Sequence, residues 1–493
     1  MTCLHKKPAQ GVKNRCLRGL LLFSFAALAL AGCAMGPNYR RPRVSAPAAF
    51  RGQAAPEKAS LADLSWWDLY SDPNLQALIK EALADNNDMR AEVARVEFAG
   101  AMSELARSAY FPFIGYEGGV EKARNVFKLN PADLALPNEN RSSGLFLGGL
   151  TAAWEFDVWG RIRRMNESAL ADYLGTEEAH RALMLSLTSS VAQAYFELQE
   201  LDRRLEIAKT SVKAFDDTAK LFTRRFNAGI ASKLEVARAE SALAVARGSV
   251  DDIKRLMALK ENEISVLVGK NPEAIKRSAP EKIGPEGLPA IPAGLPSTLL
   301  ERRPDVRAAE ETLVAANARI GMAKADFFPR IGLTAVYGAV STELSTFTNG
   351  TSAVSALAAE FAGPIFTGGA LTAQYKAALA DYDQAKYGYF QTVITAFKEV
   401  SDALVSIQKL AQLEKEQSKS VDSLTESVTI VNKRYREGVS SYYEVLEAQQ
   451  LLFPAEISLS KTRRDRLLAV VQLYKALGGG WKQSDAEWTK GKP

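Results

Sequence analysis

A chain of 493 residues, 47% hydrophobic and 24% charged, has the composition of a folded protein and room for two or three domains or one elongated architecture. Its formal charge of +5 is local: Lys6, Lys7, Lys13, Arg15 and Arg18 precede residue 33 with no acid among them, and setting those five aside leaves 57 basic against 57 acidic residues. That balance excludes a broadly basic surface seeking nucleic acid, and two histidines, His5 and His180, are too few for a multi-histidine metal centre or a choice of histidine-based triads.

Residues 1–32 read as a secretion signal. A basic stretch leads into the apolar run Gly19 to Leu30, shorter than the roughly 18–20 residues a membrane-spanning helix requires. The run ends Leu30-Ala-Gly-Cys33, which resembles the lipobox of bacterial lipoproteins, where the peptide is cut before the cysteine and the thiol carries diacylglycerol. An ordinary signal peptide with a chance cysteine is the alternative; the spacing from the apolar run favours the lipobox. Cys3 and Cys16 fall within the signal, so the mature chain would hold Cys33 alone, with no disulfide framework. Ala34 follows it, rather than the aspartate that resembles an inner-membrane retention signal, and this points to the outer membrane. Residues 33–65 are then an extended, lipid-anchored segment.

Beyond this point the chain repeats itself, over 66–267 and 301–477. Arg225-Phe-Asn-Ala-Gly229-Ile-Ala-Ser232-Lys-Leu-Glu235-Val236 recurs as Arg434-Tyr-Arg-Glu-Gly438-Val-Ser-Ser441-Tyr-Tyr-Glu444-Val445, an offset of 209. Upstream, Ala109-Tyr-Phe-Pro112 matches Asp326-Phe-Phe-Pro329 at an offset of 217, so the loop between the paired strands is longer in the first copy. Each copy begins with an amphipathic helix, about 74–108 and about 302–326.

A strand pair follows in each copy, about 110–157 and about 328–366. Leu150, Ala152, Trp154 and Phe156 alternate with more polar neighbours, as do Ile114, Tyr116 and Val120, and Ile331, Leu333, Ala335 and Tyr337. A helical bundle with a small soluble sheet is one reading. Strands of about ten residues also suit a bilayer-spanning barrel. The smallest such barrels have about eight strands, so four must be completed by other copies.

Two very long helices close each copy. Val191, Ala194, Leu198, Leu201, Leu205, Ala208, Val212, Phe215, Ala219, Phe222 and Phe226 step 3, 4, 3, 4 without a break, the spacing of coiled-coil packing. The second copy keeps the pattern from Val400 to Tyr435, interrupted at Glu414 and Gln417. One helix over 165–227 would reach roughly 95 Å at 1.5 Å per residue. Gly229 and Gly438 sit where the helices reverse, a position needing positive φ. Residues 268–300 and 478–493, rich in Pro and Gly, separate and end the repeats.

Cys33-Ala-Met-Gly-Pro-Asn-Tyr-Arg-Arg-Pro42 resembles the opening of lipid-anchored outer-membrane factors of resistance-nodulation-division pumps, members of the TolC-like efflux family. So do Trp66-Trp67 with Asp72-Pro-Asn-Leu75, Arg302-Arg-Pro-Asp305, Ala323-Lys-Ala-Asp-Phe-Phe-Pro-Arg-Ile331 and Pro364-Ile-Phe-Thr-Gly-Gly369. The resemblance implies a mostly α fold with a β-barrel portion: a duplicated unit with four transmembrane strands and long coiled-coil helices per chain. Three chains would share a twelve-stranded barrel and a twelve-helix periplasmic tunnel, with 268–300 and 478–493 as a belt. The implied function is the exit duct of a tripartite efflux pump, with a periplasmic adaptor and an inner-membrane transporter as partners. A protein-secretion conduit of the same fold is the runner-up, and a pore-less lipid-anchored periplasmic adaptor is the alternative from another class.

In that family the tips at Gly229 and Gly438 close the tunnel and meet the adaptor. Ser232 and Ser441 are expected to cap the returning helices. Arg225 and Arg434 would bond the tip backbone or the adaptor, or simply complement the helix ends. Glu444 and Glu447, one turn apart, fall where TolC-like channels carry gate carboxylates, and a three-fold axis would gather six in a cation-favouring ring; a solvated helix face is the plainer reading. Glu235 and Tyr435 match members of a latch, while Ser440 departs from it where an arginine is expected. No enzyme is expected, nor any metal or cofactor beyond the covalent lipid on Cys33. His180 reads as a helix-surface residue, Gly478-Gly-Gly480 as a helix terminator, and Asn349-Gly350 as a loop tip.

Overall fold

Helix α1 (Pro73–Asp85) starts where its sequence dictates, with Pro73 at the first turn and the Asp72 carboxylate accepting from the Asn74 N–H at 2.9 Å. The computed structural model describes residues 34–53, 60–63, 72–124, 142–278, 294 and 296–479. Cys33, Trp66, Trp67 and most of 279–300 and 480–493 lie outside the described residues.

The helix expected over 74–108 is two helices, α1 and α2 (Asn87–Ser108), parted at Asn86, which is extended at ψ 129°. The Asn86 side chain accepts from the Met89 N–H at 3.0 Å, capping α2, and donates to the Leu267 carbonyl at 3.0 Å. The second copy breaks likewise, between α5 (Pro296–Arg302) and α6 (Pro304–Ala325), because Pro304 disfavours a helical residue before it. There Arg303 donates to the Ala476 carbonyl at 2.9 Å. Positions 86 and 303 are related by the same 217-residue offset as the strand entries, so the break belongs to the repeat. In both copies its polar side chain holds the end of a returning helix.

Strands β1 (Phe113–Arg124), β2 (Ser142–Phe156), β3 (Arg330–Ser341) and β4 (Ala353–Ala362) form one antiparallel sheet in the order β1-β2-β3-β4. The register sets Tyr116, Leu150 and Tyr337 side by side, then Ile114, Ala152, Ala335 and Leu357, then Phe156, Ile331 and Phe361. Directly opposed residues share a face, so the apolar members of the alternating strands make one continuous surface. That surface is uncovered: Tyr116 is 90% exposed and Leu357 73%. The other face carries Glu117, Thr151, Glu155 and Glu360 among small residues, together with the apolar Phe113, Leu147, Val336 and Val340. Among the described residues neither β1 nor β4 has a second neighbour in the sheet.

Four helices complete the repeats: α3 (Arg161–Asn227) and α4 (Lys233–Leu267), then α7 (Ala370–Arg436) and α8 (Tyr442–Ala476). Lengths match, 67 and 35 residues in both copies. The first copy's 3-4 stripe is buried at Val191, Ala194, Leu198, Leu201, Ala208, Phe215, Ala219 and Phe222. In the second, the interruptions find polar partners on α8. Glu414 accepts from the guanidinium groups of Arg463 and Arg466, and Gln417 donates to the Ser458 hydroxyl at 2.9 Å. Contacts cluster into two units. One comprises Met1–Pro42, Phe98–Leu174 and Glu311–Tyr387, with the sheet; the other comprises Arg43–Glu97, Gly175–Glu310 and Gly388–Pro493, with both helix reversals. Among the described residues no helix is long and apolar enough to cross a membrane.

Candidate functional site

At the end of α3 the chain reverses through Gly229, whose φ is +74°; its N–H bonds the Phe226 carbonyl at 2.9 Å and the Ile230 N–H bonds that of Arg225 at 2.8 Å. The end of α7 repeats this through Gly438, φ +78°, with Gly438 to Tyr435 at 3.1 Å and Val439 to Arg434 at 3.0 Å. Glycine supplies the left-handed conformation that satisfies these last carbonyls. A Cβ at either glycine would meet nothing within 4 Å. The turns are therefore glycine for backbone reasons alone, and both are open to a partner.

Each returning helix opens on a serine and a glutamate three residues apart. The Ser232 hydroxyl accepts from the Glu235 N–H at 3.3 Å, and the Glu235 carboxylate accepts from the Ser232 N–H at 2.6 Å. At the second tip the Glu444 carboxylate accepts from the Ser441 N–H at 3.1 Å and hydroxyl at 3.2 Å, and from the Ser440 hydroxyl at 2.5 Å. The Ser440 bond first, then that of Ser441, holds the Glu444 carboxyl below its ordinary value. Ser440, the departure from the latch pattern, is thus engaged with the helix cap. Glu447 points elsewhere: it is exposed and holds no hydrogen bond or ion pair among the described residues. Arg434 is exposed too, and its charge favours ionised Glu444.

The two hairpins are joined by aromatic and cationic side chains. The Arg225 guanidinium donates to the Tyr435 hydroxyl and lies 5.4 Å from the centre of that ring. Its partner is thus a side chain of the other hairpin and not the tip backbone, one of the destinations its position suggested. The Phe222 and Tyr442 rings pack at a tilt of 42° with centres 3.9 Å apart, Tyr435 lies 6.2 Å from Tyr442, and Arg238 covers the Tyr443 ring at 6.0 Å. Burial first, and Tyr435 second, push the Tyr442 phenol up to about 12. Burial is also the first cause raising Tyr435, with the Glu235 charge acting the same way and Arg225 opposing. Beneath these rings Val236, Ala239, Leu243, Val445 and Leu446 form one buried cluster. The structure thus brings Arg225 to Tyr435, Ser232 to Glu235 and Ser441 to Glu444. It leaves Arg434 and Glu447 unengaged by hydrogen bonds. The contacts of Ser440, Phe222, Arg238 and Tyr443 were not foreseen; in the sequence Phe222 stands out only as a member of the 3-4 stripe and Ser440 only as a departure from the latch.

In the sheet-bearing unit the residues after Cys33 are docked. The Met35 N–H bonds the Trp159 carbonyl at 2.9 Å, and the Asn317 side chain donates to the Pro37 carbonyl at 2.9 Å. Arg164, its side chain only 4% exposed, donates to the Met35 carbonyl at 3.1 Å and the Asn38 side chain at 2.7 Å. Gly36, at φ +86°, lies so close to Gly321 that a Cβ would sit 2.5 Å from its Cα. The Gly-Pro-Asn opening is therefore a docking sequence.

His180 is half-buried, not on the open surface, and burial lowers its pKa. Among the described residues no group of three or more His, Cys, Asp or Glu is placed to hold a metal ion.

Comparison with known proteins agrees with this geometry. The family model described as outer membrane efflux protein matches residues 78–270 and 295–479. The probable efflux pump outer membrane protein TtgC of Pseudomonas putida is 32% identical over 478 residues, covering 95% of this chain and 97% of its own. The outer membrane protein OprJ of Pseudomonas aeruginosa is 33% identical, with 97% of both chains covered. Among solved structures, the outer-membrane channel OprN superposes with a TM-score of 0.83 at 28% identity, over 91% of this chain and all of that one. The chain belongs to the outer membrane efflux protein family.

Proposed function

We propose that three copies of this chain form the exit duct of a tripartite efflux pump, anchored by lipid on Cys33 in the outer membrane. The four-stranded sheet carries this reading. One face is largely apolar and exposed, the other mixes carboxylates and small residues with fewer apolar ones, and among the described residues both edges are unpaired. An apolar sheet face with open edges is costly in water and costly in lipid. Closure with further copies into a barrel removes both costs, and strands of 10 to 15 residues are long enough to cross.

Supporting the anchor, the strap from Ala34 to Asn38 is fixed against α3 and α6, in the unit that carries the sheet. A diacylglycerol on the preceding residue is then held in the sheet-bearing unit. Supporting the pump assembly, both tips are uncovered glycine turns of matching geometry, suited to a periplasmic adaptor that bridges to an inner-membrane transporter of the resistance-nodulation-division class. The duct is passive and does no catalysis; the transporter supplies energy and selects cargo. Of the two carboxylates expected at the gate, Glu447 is the one free to act on passing ions, since Glu444 is bound into the helix cap.

Single-channel recording from the detergent-purified protein in planar bilayers tests the duct. A small, cation-preferring conductance from a trimeric sample is expected. A folded trimer that never conducts overturns it. Mass spectrometry of the N-terminal peptide separately tests the lipid: diacylglycerol on Cys33 is expected, and a peptide cut elsewhere or unmodified refutes the anchor.

A further inference from the structure

The two hairpins of one chain touch near their tips, where the Phe222 and Tyr442 rings meet, and again further along. There Arg464 of α8 lies 3.6 Å from the Glu200 carboxylate of α3. Between these two contacts α3, α4 and α8 leave a cleft of about 570 Å³. Phe215 of α3 and Phe453 of α8, edge-on with ring centres 5.7 Å apart, join its two sides. On α4, Arg238, Ser241, Val245 and Ser249 line it at steps of three and four, so they share one face of that helix.

The cleft has a direction. Arg238 and Tyr443 stand near the starts of α4 and α8, at the tip end; Ser249, Ile457 and Ile207 stand at the other. From Arg238 to Ser249 is roughly 16 Å at 1.5 Å per residue. The walls are mainly apolar, and Arg238 is the one charged side chain on them among the described residues. It also differs from the other arginines of α4. Arg247 pairs with Asp216 at 3.0 Å and Arg255 with Asp252 at 2.8 Å. Arg238 lies 6.0 Å from the centre of the Tyr443 ring and has no hydrogen bond or ion pair among the described residues.

We propose that this cleft binds an amphipathic monoanion, a single-chain carboxylate of the fatty-acid class. The carboxylate pairs with the Arg238 guanidinium, whose fork suits it, and the chain lies along Val245, Phe453 and Ile457. Size and lining are those of a small-molecule site, apolar with few polar groups. An elongated cleft charged at one end selects an elongated molecule charged at one end, of opposite sign. One chain builds the whole site, so it does not rest on closure of copies into a duct. An occupant touches α3, α4 and α8 at once and so bridges the two hairpins between their existing contacts.

Calorimetric titration of dodecanoate, below its micellar concentration, into lipid nanodiscs carrying the full-length protein tests this, with empty nanodiscs as the baseline. Saturable binding above the baseline is expected. Arg238→Gln, at an exposed position, should weaken it at least tenfold. Dodecanol should bind more weakly than dodecanoate, and equally to the unsubstituted protein and Arg238→Gln. Ser241→Trp, also at an exposed position, fills the path of the chain and should abolish binding of both, with the melting temperature of each variant reporting that it is folded. Ser249→Trp blocks the far end and replaces it should Ser241→Trp not fold. No saturable binding to folded protein overturns the site. So does binding that Arg238→Gln leaves unchanged, or that persists in a folded tryptophan variant. A conducting trimer that binds no dodecanoate overturns the site and leaves the duct standing.

Discussion

Arg225 and Tyr435 join the two hairpins of one chain at their ends, by a hydrogen bond and by the position of the cation beside the ring. The repeat itself does not predict the pairing, because Arg225 corresponds to Arg434 and Tyr435 to Phe226. Both copies carry the arginine, but only the second carries the tyrosine hydroxyl, so the contact runs one way. Tyr435→Phe removes the hydrogen bond and keeps the ring. A hydrogen bond to a charged group contributes about 1.5–3 kcal/mol, and partial exposure places this one near about 1, a several-fold change in equilibrium. Single-channel recordings should therefore show openings several times more frequent in Tyr435→Phe and more frequent still in Arg225→Ala. Unchanged gating in both would show that the closed tip is held elsewhere.

The two glutamates past the second tip should respond differently to substitution. Glu447→Gln is expected to reduce cation preference, read as a smaller reversal potential across a salt gradient, with little change in melting temperature. Glu444→Gln should lower the melting temperature and leave the reversal potential nearly unchanged. The reverse pattern would return ion selection to Glu444.

Acid should act on the same cap. The Glu444 carboxyl is held below its ordinary 4.5 in the folded protein. A depressed folded value means its contribution is complete above 4.5 and is lost as pH falls through the folded value. The melting-temperature difference between the unsubstituted protein and Glu444→Gln should therefore be constant at neutral pH and shrink below about 4.5. A difference that grows on acidification contradicts the cap.

Arg303 is a buried charge of the second repeat. Its side chain is 8% exposed, pairs with Asp305 and Glu399 at 2.6 and 2.7 Å, and reaches the Ala476 carbonyl. Removing one partner of a buried pair costs roughly 3–5 kcal/mol, but the two acids left behind are about 40% exposed and can hydrate. Arg303→Ala should thus cost about 2–3 kcal/mol, and Arg303→Lys should recover less than half, since an ammonium cannot copy the forked geometry. Chemical denaturation measures both.

Gly36 tolerates no side chain, having both a positive φ and Gly321 against it. Gly36→Val or Gly321→Val should release the strap, and limited proteolysis should then cut between residues 34 and 42 at least ten times faster. Equal protection in both variants would mean the strap is held by its hydrogen bonds to Trp159, Arg164 and Asn317 without the glycine contact.

Much of this was legible from spacing. The 209-residue offset located both tips, and the alternation of Ile114, Leu150, Leu333 and their neighbours anticipated a single apolar face whose register the ladder confirms residue by residue. What spacing could not supply was the destination of polar side chains. Glu414 looked like a defect in a heptad because Arg463 and Arg466 lie about fifty residues on, with no local rule to connect them. The break at Asn86 was masked by apolar periodicity running through it, although Asn-Asn-Asp is a capping sequence. Glu444 presented two readings, gate carboxylate and solvated helix face, and the Ser-x-x-Glu spacing already contained the one the structure shows, the helix cap.

The matched lengths of the helices, 67 with 67 and 35 with 35, constrain how such a gene can change. A heptad inserted into both arms of the first hairpin alone would carry Gly229 about 10 Å beyond Gly438 and part Arg225 from Tyr435. Viable insertions and deletions must therefore arrive in compensating sets, in both repeats at corresponding positions. A homologue with one unmatched heptad would be expected to have remodelled its docking partner as well.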